Sequence, residues 1–351
     1  HKWAKKIILA AHSFVAVWYC LFFIVHMILF TDAFGIYLIV TLCVAVPKLV
    51  FVLCDILMKV LRKFLRIPLF GNRIVVVAIV TLAYLLFGAI KGKEYFQVKQ
   101  VVFSSPDLPE SFDGYRILQL SDIHAGSWKG NAEALRRAVE ICNAQHPDLA
   151  VFTGDLVNSR ADEIKEFMPV LSNFVQRMGY FLYWETTIML RMCSGTVKQT
   201  VLLILNASGK TGTDGWKMLM NDHQILHRGN DSIALIGVEN SGKPPFPDCG
   251  DLPRAQKGTE DVQGFADHDP THWRRSVLPD TDIQLMLAGH THDMQINLFG
   301  FSFSQVYLSE HKGLYLEGQR GLYVNIGLGY VLFPMRLGAW PEITVITLRR
   351  K

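Results

Sequence analysis

Three short segments of the sequence place carboxylate and imidazole side chains at spacings that suit metal binding. Asp122 and His124 are two residues apart, so both side chains lie on one side of an extended segment. His290 and His292 have the same spacing, and Asp155 follows a glycine that lets the backbone turn sharply. Each pattern alone is weak. Together they predict a divalent-metal site, and mixed imidazole and carboxylate ligands suit Mn, Fe or Zn better than Ca or Mg.

Each of these segments follows a run with strand character. Strands are predicted at Arg116–Leu120, Asp148–Thr153 and Ile283–Ala288, and Asn131–Ala144 has the apolar periodicity of a helix. Strand, helix and strand form a βαβ unit, and such units bind ligands at the carboxyl ends of their strands. Further strands are predicted at Ser232–Val238, Leu322–Ile326 and Ile343–Leu348. The predicted fold class is therefore α/β.

The three segments carry motifs that resemble those of the calcineurin-like metallophosphoesterases. These are LSDIH at Leu120–His124, TGDL at Thr153–Leu156 and GHTH at Gly289–His292. The resemblance covers most of residues 95–351, and the apolar segments before them are similar to the membrane-bound bacterial branch of the family. It implies a four-layer α/β/β/α sandwich preceded by transmembrane helices. Two metal ions would lie at one edge of its two facing sheets.

The resemblance also implies a role for each motif residue. Asp122, His124 and His292 would hold one ion. Asp155 would bridge both ions, and His290 would hold the second. Two ions about 3.5–4 Å apart can clamp a phosphoryl group and lower the pKa of a water between them. The resemblance thus implies hydrolysis of phosphomonoesters or phosphodiesters by water that two metal ions activate.

A sixth ligand is expected at His268, within the sequence Asp-His-Asp-Pro. It resembles an isolated histidine ligand that the family places before the final motif. The apolar strand that should precede it is reduced to Gly264–Ala266. His272, four residues further on, is predicted to be a surface histidine.

One motif of the family is missing from this sequence. The family has a Gly-Asn-His-(Asp/Glu) motif, whose Asn binds the second ion and whose His meets a phosphoryl or leaving-group oxygen. Between Asp155 and Gly215 there is no Asn-His pair, and the expected place, near Thr186 and Thr187, reads Phe181–Met189 as FLYWETTIM. The catalytic residues therefore cannot be named from the sequence.

The codons of Tyr183–Met189 permit the missing motif in another reading frame. From the third base of the Tyr183 codon, the triplets must encode Leu and Gly and can then encode Asn, His, Asp and Tyr. We therefore expect residues 182–214 to be translated from a shifted reading frame, so that they are out-of-frame residues. The original frame would be restored by Gly215. The alternative is a divergent insert in which Thr200–Leu205 forms a strand.

The first 92 residues are much more apolar than the rest of the chain. Three runs approach the roughly 20 residues that a membrane-crossing helix needs: Ile7–Phe30, Ile36–Leu57 and Ile74–Ile90. Residues 1–92 are thus predicted as a membrane region of about three transmembrane helices, and residues 95–351 as the phosphoesterase domain. Buried helices of a soluble core are the alternative. Because the chain begins at His1 rather than Met, we expect a further N-terminal segment.

Basic residues predict how the spans are oriented. The link between the second and third spans carries five of them, Lys59, Arg62, Lys63, Arg66 and Arg73, and the link before it carries none. Short basic loops stay in the cytoplasm. We therefore expect a multi-pass protein of the cell membrane whose phosphoesterase domain is extracytoplasmic, although Lys91 and Lys93 argue mildly against this orientation.

The remaining charge pattern limits the partners. The formal net charge is +4, and the basic excess lies largely in the membrane loops, so it is not a nucleic-acid footprint. The expected partners are the membrane and a phosphate-ester substrate, with a lipid-linked ester as one candidate. A metal-binding but catalytically inactive membrane protein is the alternative function. A transporter that uses Lys48 and Asp55, on one face of the second span, is a third.

Overall fold

The computed structural model describes residues 17–22, 24–25, 33–65, 71–158, 160–171, 173–174, 179–181, 217–242, 248–259 and 262–351. The expected out-of-frame residues 182–214, with the place of the missing motif, lie outside these residues, as does most of the first predicted span. The chain divides into two compact units. One comprises residues 1–91 with 332–335, and the other comprises residues 92–331 with 336–351.

The first unit contains two long helices, α1 (Ala33–Leu65) and α2 (Gly71–Ile90). Within the part of the chain that the structure describes, Phe34–Leu61 is the one helical segment long and apolar enough to cross a membrane, and Ile74–Ile90 is a shorter apolar stretch. Most large apolar side chains of α1 are exposed, as expected of a helix that faces lipid. In α1, Asp55 Oδ2 lies 2.6 Å from Lys59 Nζ, one turn further on.

The second unit is built on fourteen strands among its described residues. They are β1 (Gln97–Ser105), β2 (Arg116–Leu120), β3 (Leu149–Phe152), β4 (Gly179–Phe181), β5 (Lys217–Met218), β6 (Asp222–Arg228), β7 (Asp231–Gly237), β8 (Val262–Ala266), β9 (Leu285–Ala288), β10 (Asn297–Leu298), β11 (Phe301–Ser302), β12 (Gly313–Glu317), β13 (Arg320–Val324) and β14 (Glu342–Arg350). One six-stranded sheet has the order β1-β14-β2-β3-β4-β5, and the other has the order β12-β13-β9-β8-β7-β6. Strands β10 and β11 form a separate hairpin.

The described residues of this unit also form α-helices, most of them short. They are α3 (Ala132–Asn143), α4 (Met168–Leu171), α5 (Leu252–Gln256), α6 (Leu278–Asp280) and α7 (Ser304–Tyr307). Asn131 stands at the N-cap of α3, and the buried face of α3 runs through Leu135 and Val139. α3 and α4 pack on the first sheet, and α5 packs on the second together with a π-helical turn at Trp273–Val277.

Alternation along the strands produces the layers. In β2, Leu118 faces α3, whereas Ile117 faces the second sheet. Successive side chains of a strand point to opposite faces, so one strand contributes to two apolar cores. Leu235 of β7 and Leu287 of β9 meet Ile117 in the core between the sheets. Helix, sheet, sheet and helix therefore stack in the predicted α/β/β/α order.

Candidate metal centre

The predicted ligands come together where four parallel strands end. Strands β2 and β3 are neighbours in the first sheet, and β8 and β9 are neighbours in the second. The loops after these strands carry all six predicted ligands: Asp122 and His124 after β2, Asp155 after β3, His268 after β8, and His290 and His292 after β9. Residues from both sheets therefore meet at one edge of the sandwich.

Main-chain hydrogen bonds hold these loops together. The Asp122 amide donates to the Gly154 carbonyl at 2.8 Å, and the His124 amide donates to the Asp155 carbonyl at 3.0 Å. Between the sheets, the His290 amide donates to Asp122 Oδ2 at 3.0 Å. Asp122 Oδ2 thus links the two sheets, whereas Asp122 Oδ1 lies among the other candidate ligand atoms.

Two glycines permit this approach. Gly154 has a φ of 123°, a conformation that L side chains rarely adopt, so the turn before Asp155 requires glycine as predicted. At Gly289, a Cβ atom would lie 1.8 Å from Ser121 Oγ and 2.6 Å from Asp122 Oδ2. Any side chain there would push the second sheet's loop away from the first.

Backbone strain is concentrated on the ligand residues. Asp122, His124, Asp155, His290 and His292 all have φ between 47° and 74°. A non-glycine residue in this left-handed region costs on the order of 1–3 kcal/mol and persists only where the surroundings enforce it. Such strain on five of the six predicted ligands indicates that the fold aims their side chains at a common point.

The first group of candidate ligand atoms comprises Asp122, His124 and His292, the three residues that the sequence analysis assigned to one ion. All three residues are buried, and their ligand atoms lie within 4.8 Å of one another. Asp122 Oδ1 is 3.0 Å from His292 Nε2 and 3.7 Å from His124 Nε2. The two Nε2 atoms are 3.1 Å apart.

The second group comprises Asp122, Asp155 and His268. His268 Nε2 is 3.5 Å from Asp155 Oδ2 and 4.0 Å from Asp122 Oδ1. Asp155 Oδ2 is also 3.5 Å from His124 Nε2, so this oxygen lies between histidines of the two groups. His290 belongs to neither group, but its Nδ1 lies 3.2 Å from His268 Nε2. Asp122 is therefore common to both groups, which the motifs did not predict.

The electrostatics of the site favour a cation. Burial opposes the charged form of Asp122, yet the neighbouring His292 and His268 hold its pKa well below the usual range. Burial also opposes the charge on Asp155, but His268 lowers its pKa to about 2. Burial lowers the pKa of His292 to about 4. For His268, the two carboxylates outweigh burial and raise the pKa to about 10. At neutral pH, protonated His268 is thus the positive charge beside two buried carboxylates.

The donor set fits a divalent metal ion. Asp122 Oδ1 and His124 Nδ1 are buried and have no hydrogen-bond partner among the described residues. A buried carboxylate oxygen without a partner is costly, and a cation held among three histidines and two carboxylates would supply that partner. Binding would displace the proton of His268, since only the neutral ring can act as a ligand.

Two contacts behind the ligands were not predicted. Arg336 is completely buried, and its Nη2 lies 2.8 Å from His292 Nδ1. The prediction that His272 lies at the surface was wrong. The turn after Asp269 folds this residue back, so its side chain is buried with Nδ1 2.6 Å from Asp267 Oδ2.

These features define an α/β protein with a candidate divalent-metal site where its two sheets meet. The family model for calcineurin-like phosphoesterases matches residues 115–191. The match ends inside the expected out-of-frame stretch. Relatives extend the similarity over more of the chain.

The transmembrane protein with metallophosphoesterase domain of Danio rerio is 28% identical over 289 residues, which are 79% of this chain and 62% of that protein. The chain thus spans less than two thirds of this relative. The uncharacterized metallophosphoesterase YkuE of Bacillus subtilis is 29% identical over 262 residues, 69% of this chain and 82% of that protein. Phosphodiesterase YaeI of Escherichia coli is 27% identical over 244 residues, 67% of this chain and 82% of that protein.

The family model and these relatives support the assignment of the chain to the calcineurin-like metallophosphoesterases that its motifs predicted. The apolar segment Phe34–Leu61 and the relatives named as transmembrane proteins together indicate that it associates with a membrane.

Proposed function

We propose that this protein is a metal-dependent phosphoesterase that hydrolyses phosphomonoesters or phosphodiesters. The observation that carries the proposal is the pair of buried ligand groups that share Asp122 where the two sheets meet. When bound, two divalent ions would polarise phosphoryl oxygens and lower the pKa of water. The name of the Escherichia coli relative, a phosphodiesterase, supports a diester substrate.

The residues divide into two sets. Asp122, His124 and His292 would hold the first ion. Asp155, with an oxygen 3.5 Å from histidines of both groups, would bridge the two ions. His268 and His290 complete the second set. Nitrogen and oxygen donors in this proportion suit Mn, Fe or Zn.

The test is turnover of bis-p-nitrophenyl phosphate and of p-nitrophenyl phosphate by the purified full chain with added Mn, alongside its metal content. Release of p-nitrophenol that disappears in an Asp122→Ala variant is the expected result. The sequence between Asp155 and Gly215 contains no Asn-His pair, which favours the second candidate, a membrane protein that binds metal without catalysis. Bound metal without release of p-nitrophenol would establish that candidate instead.

The membrane region determines what the site would meet. We propose a multi-pass protein of the cell membrane with its phosphoesterase unit on the extracytoplasmic side, because basic residues concentrate between the second and third apolar runs. A site held at a bilayer would meet lipid-linked phosphate esters, and we do not expect nucleic acid as a partner. The transporter alternative weakens, because Asp55 pairs with Lys59 rather than Lys48.

The orientation has a direct test. Alkaline phosphatase fused to the C-terminus is expected to be active, and a fluorescent protein fused there is expected to be dark, since each reports the side on which it folds. Bright cytoplasmic fluorescence would overturn the orientation and leave the metal-dependent chemistry unaffected.

A further inference from the structure

An exposed aromatic surface stands directly after the last ligand motif. The β10–β11 hairpin and α7 form it, and Phe299 at the hairpin tip is fully exposed. The other exposed apolar side chains of this segment are Met294, Leu298, Phe301, Phe303, Val306 and Tyr307. Exposed apolar clusters of this kind mark interaction sites on soluble domains. We call residues 294–307 the aromatic hairpin.

The composition of the aromatic hairpin favours lipid over a polar partner. Residues 294–307 read MQINLFGFSFSQVY and contain no Asp, Glu, Lys or Arg. Tyrosine is enriched at the boundary between acyl chains and headgroups, and phenylalanine and leucine are side chains that interfacial amphipathic segments bury there. A protein interface would normally surround such a core with a charged or polar rim.

The turn of the hairpin has a phenylalanine at a position where its turn type favours asparagine. Phe299 has a φ of 54° and Gly300 a φ of 88°, so both central residues of a two-residue turn are left-handed. Asn-Gly is the favoured pair for such a turn, and a bulky residue at the first position is strained. Phe299 therefore destabilises the turn and places an aromatic ring at its most exposed point. Because the ring does not stabilise the fold there, we infer that it serves an interaction.

The base of the aromatic hairpin is fixed beside the metal centre. Asp293, the residue after ligand His292, is completely buried. Its side chain accepts hydrogen bonds from Asn297 at 2.6 Å and Ser304 at 2.8 Å, and Lys312 Nζ lies 3.0 Å from it. The exposed rings are thus presented by a braced loop whose position is tied to the ligands.

We propose that the aromatic hairpin inserts into the interfacial layer of a lipid bilayer and so holds the metal centre at the membrane surface. A bilayer is the expected partner because the chain has its own candidate membrane anchor. Phe34–Leu61 has the length and composition of a membrane span. A tether of this kind keeps the local concentration of bilayer high, so a few rings suffice for stable contact. The contact does not depend on bound metal or on catalysis.

The test uses the full chain in proteoliposomes with an added tryptophan as reporter. Phe299→Trp is compared with Leu316→Trp, which places the reporter at an exposed apolar position on β12 outside the aromatic hairpin. The parent spectrum is subtracted from each. We expect the emission added at position 299 to lie at shorter wavelength and to be lost when the lipids carry bromine on their upper acyl chains. The emission added at position 316 is expected to do neither.

A second pair of variants separates insertion from folding. Phe301→Trp is measured alone and together with Phe299→Asn, which removes the tip ring and introduces the residue that this turn favours. Quenching by brominated lipid is expected to fall in the double variant although its turn is more stable. If the tryptophan at position 299 had the same emission wavelength and the same lack of quenching as the tryptophan at position 316, the proposal would be overturned. Emission that is shifted but not quenched would also overturn it, because a protein surface would then cover the rings.

Discussion

The two ligand groups of the metal centre share Asp122 but are not equally complete. Every predicted ligand of the first group is present, and Asp122, His124 and His292 lie together in a buried cluster. The second group has Asp155 and His268 in place. Its expected Asn belongs to a motif that the sequence does not contain, and the place of that motif lies outside the described residues.

This difference separates metal binding from catalysis. The first group comes from the loops after β2 and β9, which main-chain hydrogen bonds fix to their neighbours. The second comes from the loops after β2, β3 and β8, and its expected Asn would follow β4, a strand of three residues that pairs with β3. We therefore expect that the chain as written binds its first ion normally and its second ion weakly.

The largest expected effect is the loss of both ions when a carboxylate common to the groups is removed. Asp122→Ala is expected to empty both sites, since Asp122 belongs to both groups. Asp155→Ala should remove more metal than any single histidine change, because a bridging carboxylate offsets the repulsion between two cations. His292→Ala should affect only the first ion. Metal analysis of the purified variants measures each loss.

Asp148→Asn is the matched control for these variants. The Asp148 carboxylate accepts a hydrogen bond from the Arg116 amide at 2.8 Å, at the opposite end of β2 from the ligands. Its metal content is expected to equal that of the parent. Equal losses for Asp155→Ala, Asp122→Ala and His292→Ala would contradict a shared carboxylate.

The next largest effect concerns the missing motif. The chain with residues 182–214 restored to the other frame is expected to turn over bis-p-nitrophenyl phosphate about 10²–10³-fold faster than the chain as written. Loss of one preorganised donor to a developing charge costs roughly 3–4 kcal/mol, and the lost histidine is such a donor. Steady-state turnover with saturating Mn compares the two proteins.

Resequencing the gene across Gly179–Trp216 provides the control. Codons that cannot spell Asn-His in any frame would refute the frameshift and support a divergent insert. Equal metal content and equal turnover of the two proteins would show that the second group does not need the motif, so the proposed division of ligands would be wrong.

Local patterns made much of the fold predictable. Strand β2 lies at the predicted residues Arg116–Leu120, and α3 begins and ends within one residue of its prediction. Strand β2 follows from its β-prone run and α3 from its apolar periodicity. β1 was missed, because this edge strand mixes polar and apolar residues and is defined by its pairing with β14.

The clustering of the candidate ligands was predictable for the same reason, since each motif is contiguous in sequence. The sharing of Asp122 between the two groups was not. Asp122 enters both groups only because strand ends from two sheets converge, and no spacing in the sequence shows that convergence. His272 was assigned to the surface for lack of a motif, although Asp267 five residues earlier binds it in a buried pair. No local sequence pattern around Arg336 indicates that it contacts a candidate ligand.

Arg336 provides the smallest and most specific test of the comparison, because His292 is the one candidate ligand to which its hydrogen bonds reach among the described residues. Its guanidinium lies 2.8 Å from His292 Nδ1 and donates to the His292 carbonyl at 3.0 Å. It also donates to the carbonyls of Gly329 and Gly327. Burial lowers its pKa to about 10, so it remains charged at neutral pH. It therefore fixes the main chain of one ligand residue and contacts its ring.

Arg336→Lys is expected to weaken the first ion's affinity about 10–100-fold, the usual cost of losing a group that orients a metal ligand, while the second ion is unaffected. A single ammonium cannot make the several directed hydrogen bonds of the guanidinium. Arg320→Lys is the matched control, since Arg320 also donates to main-chain carbonyls, those of Ile283, Leu278 and Val277, but contacts no predicted ligand. Competition with a metal chelator gives both affinities without reference to activity. If Arg336→Lys and Arg320→Lys shifted the affinity equally, the effect would be one of general stability, and Arg336 would have no special part in holding His292.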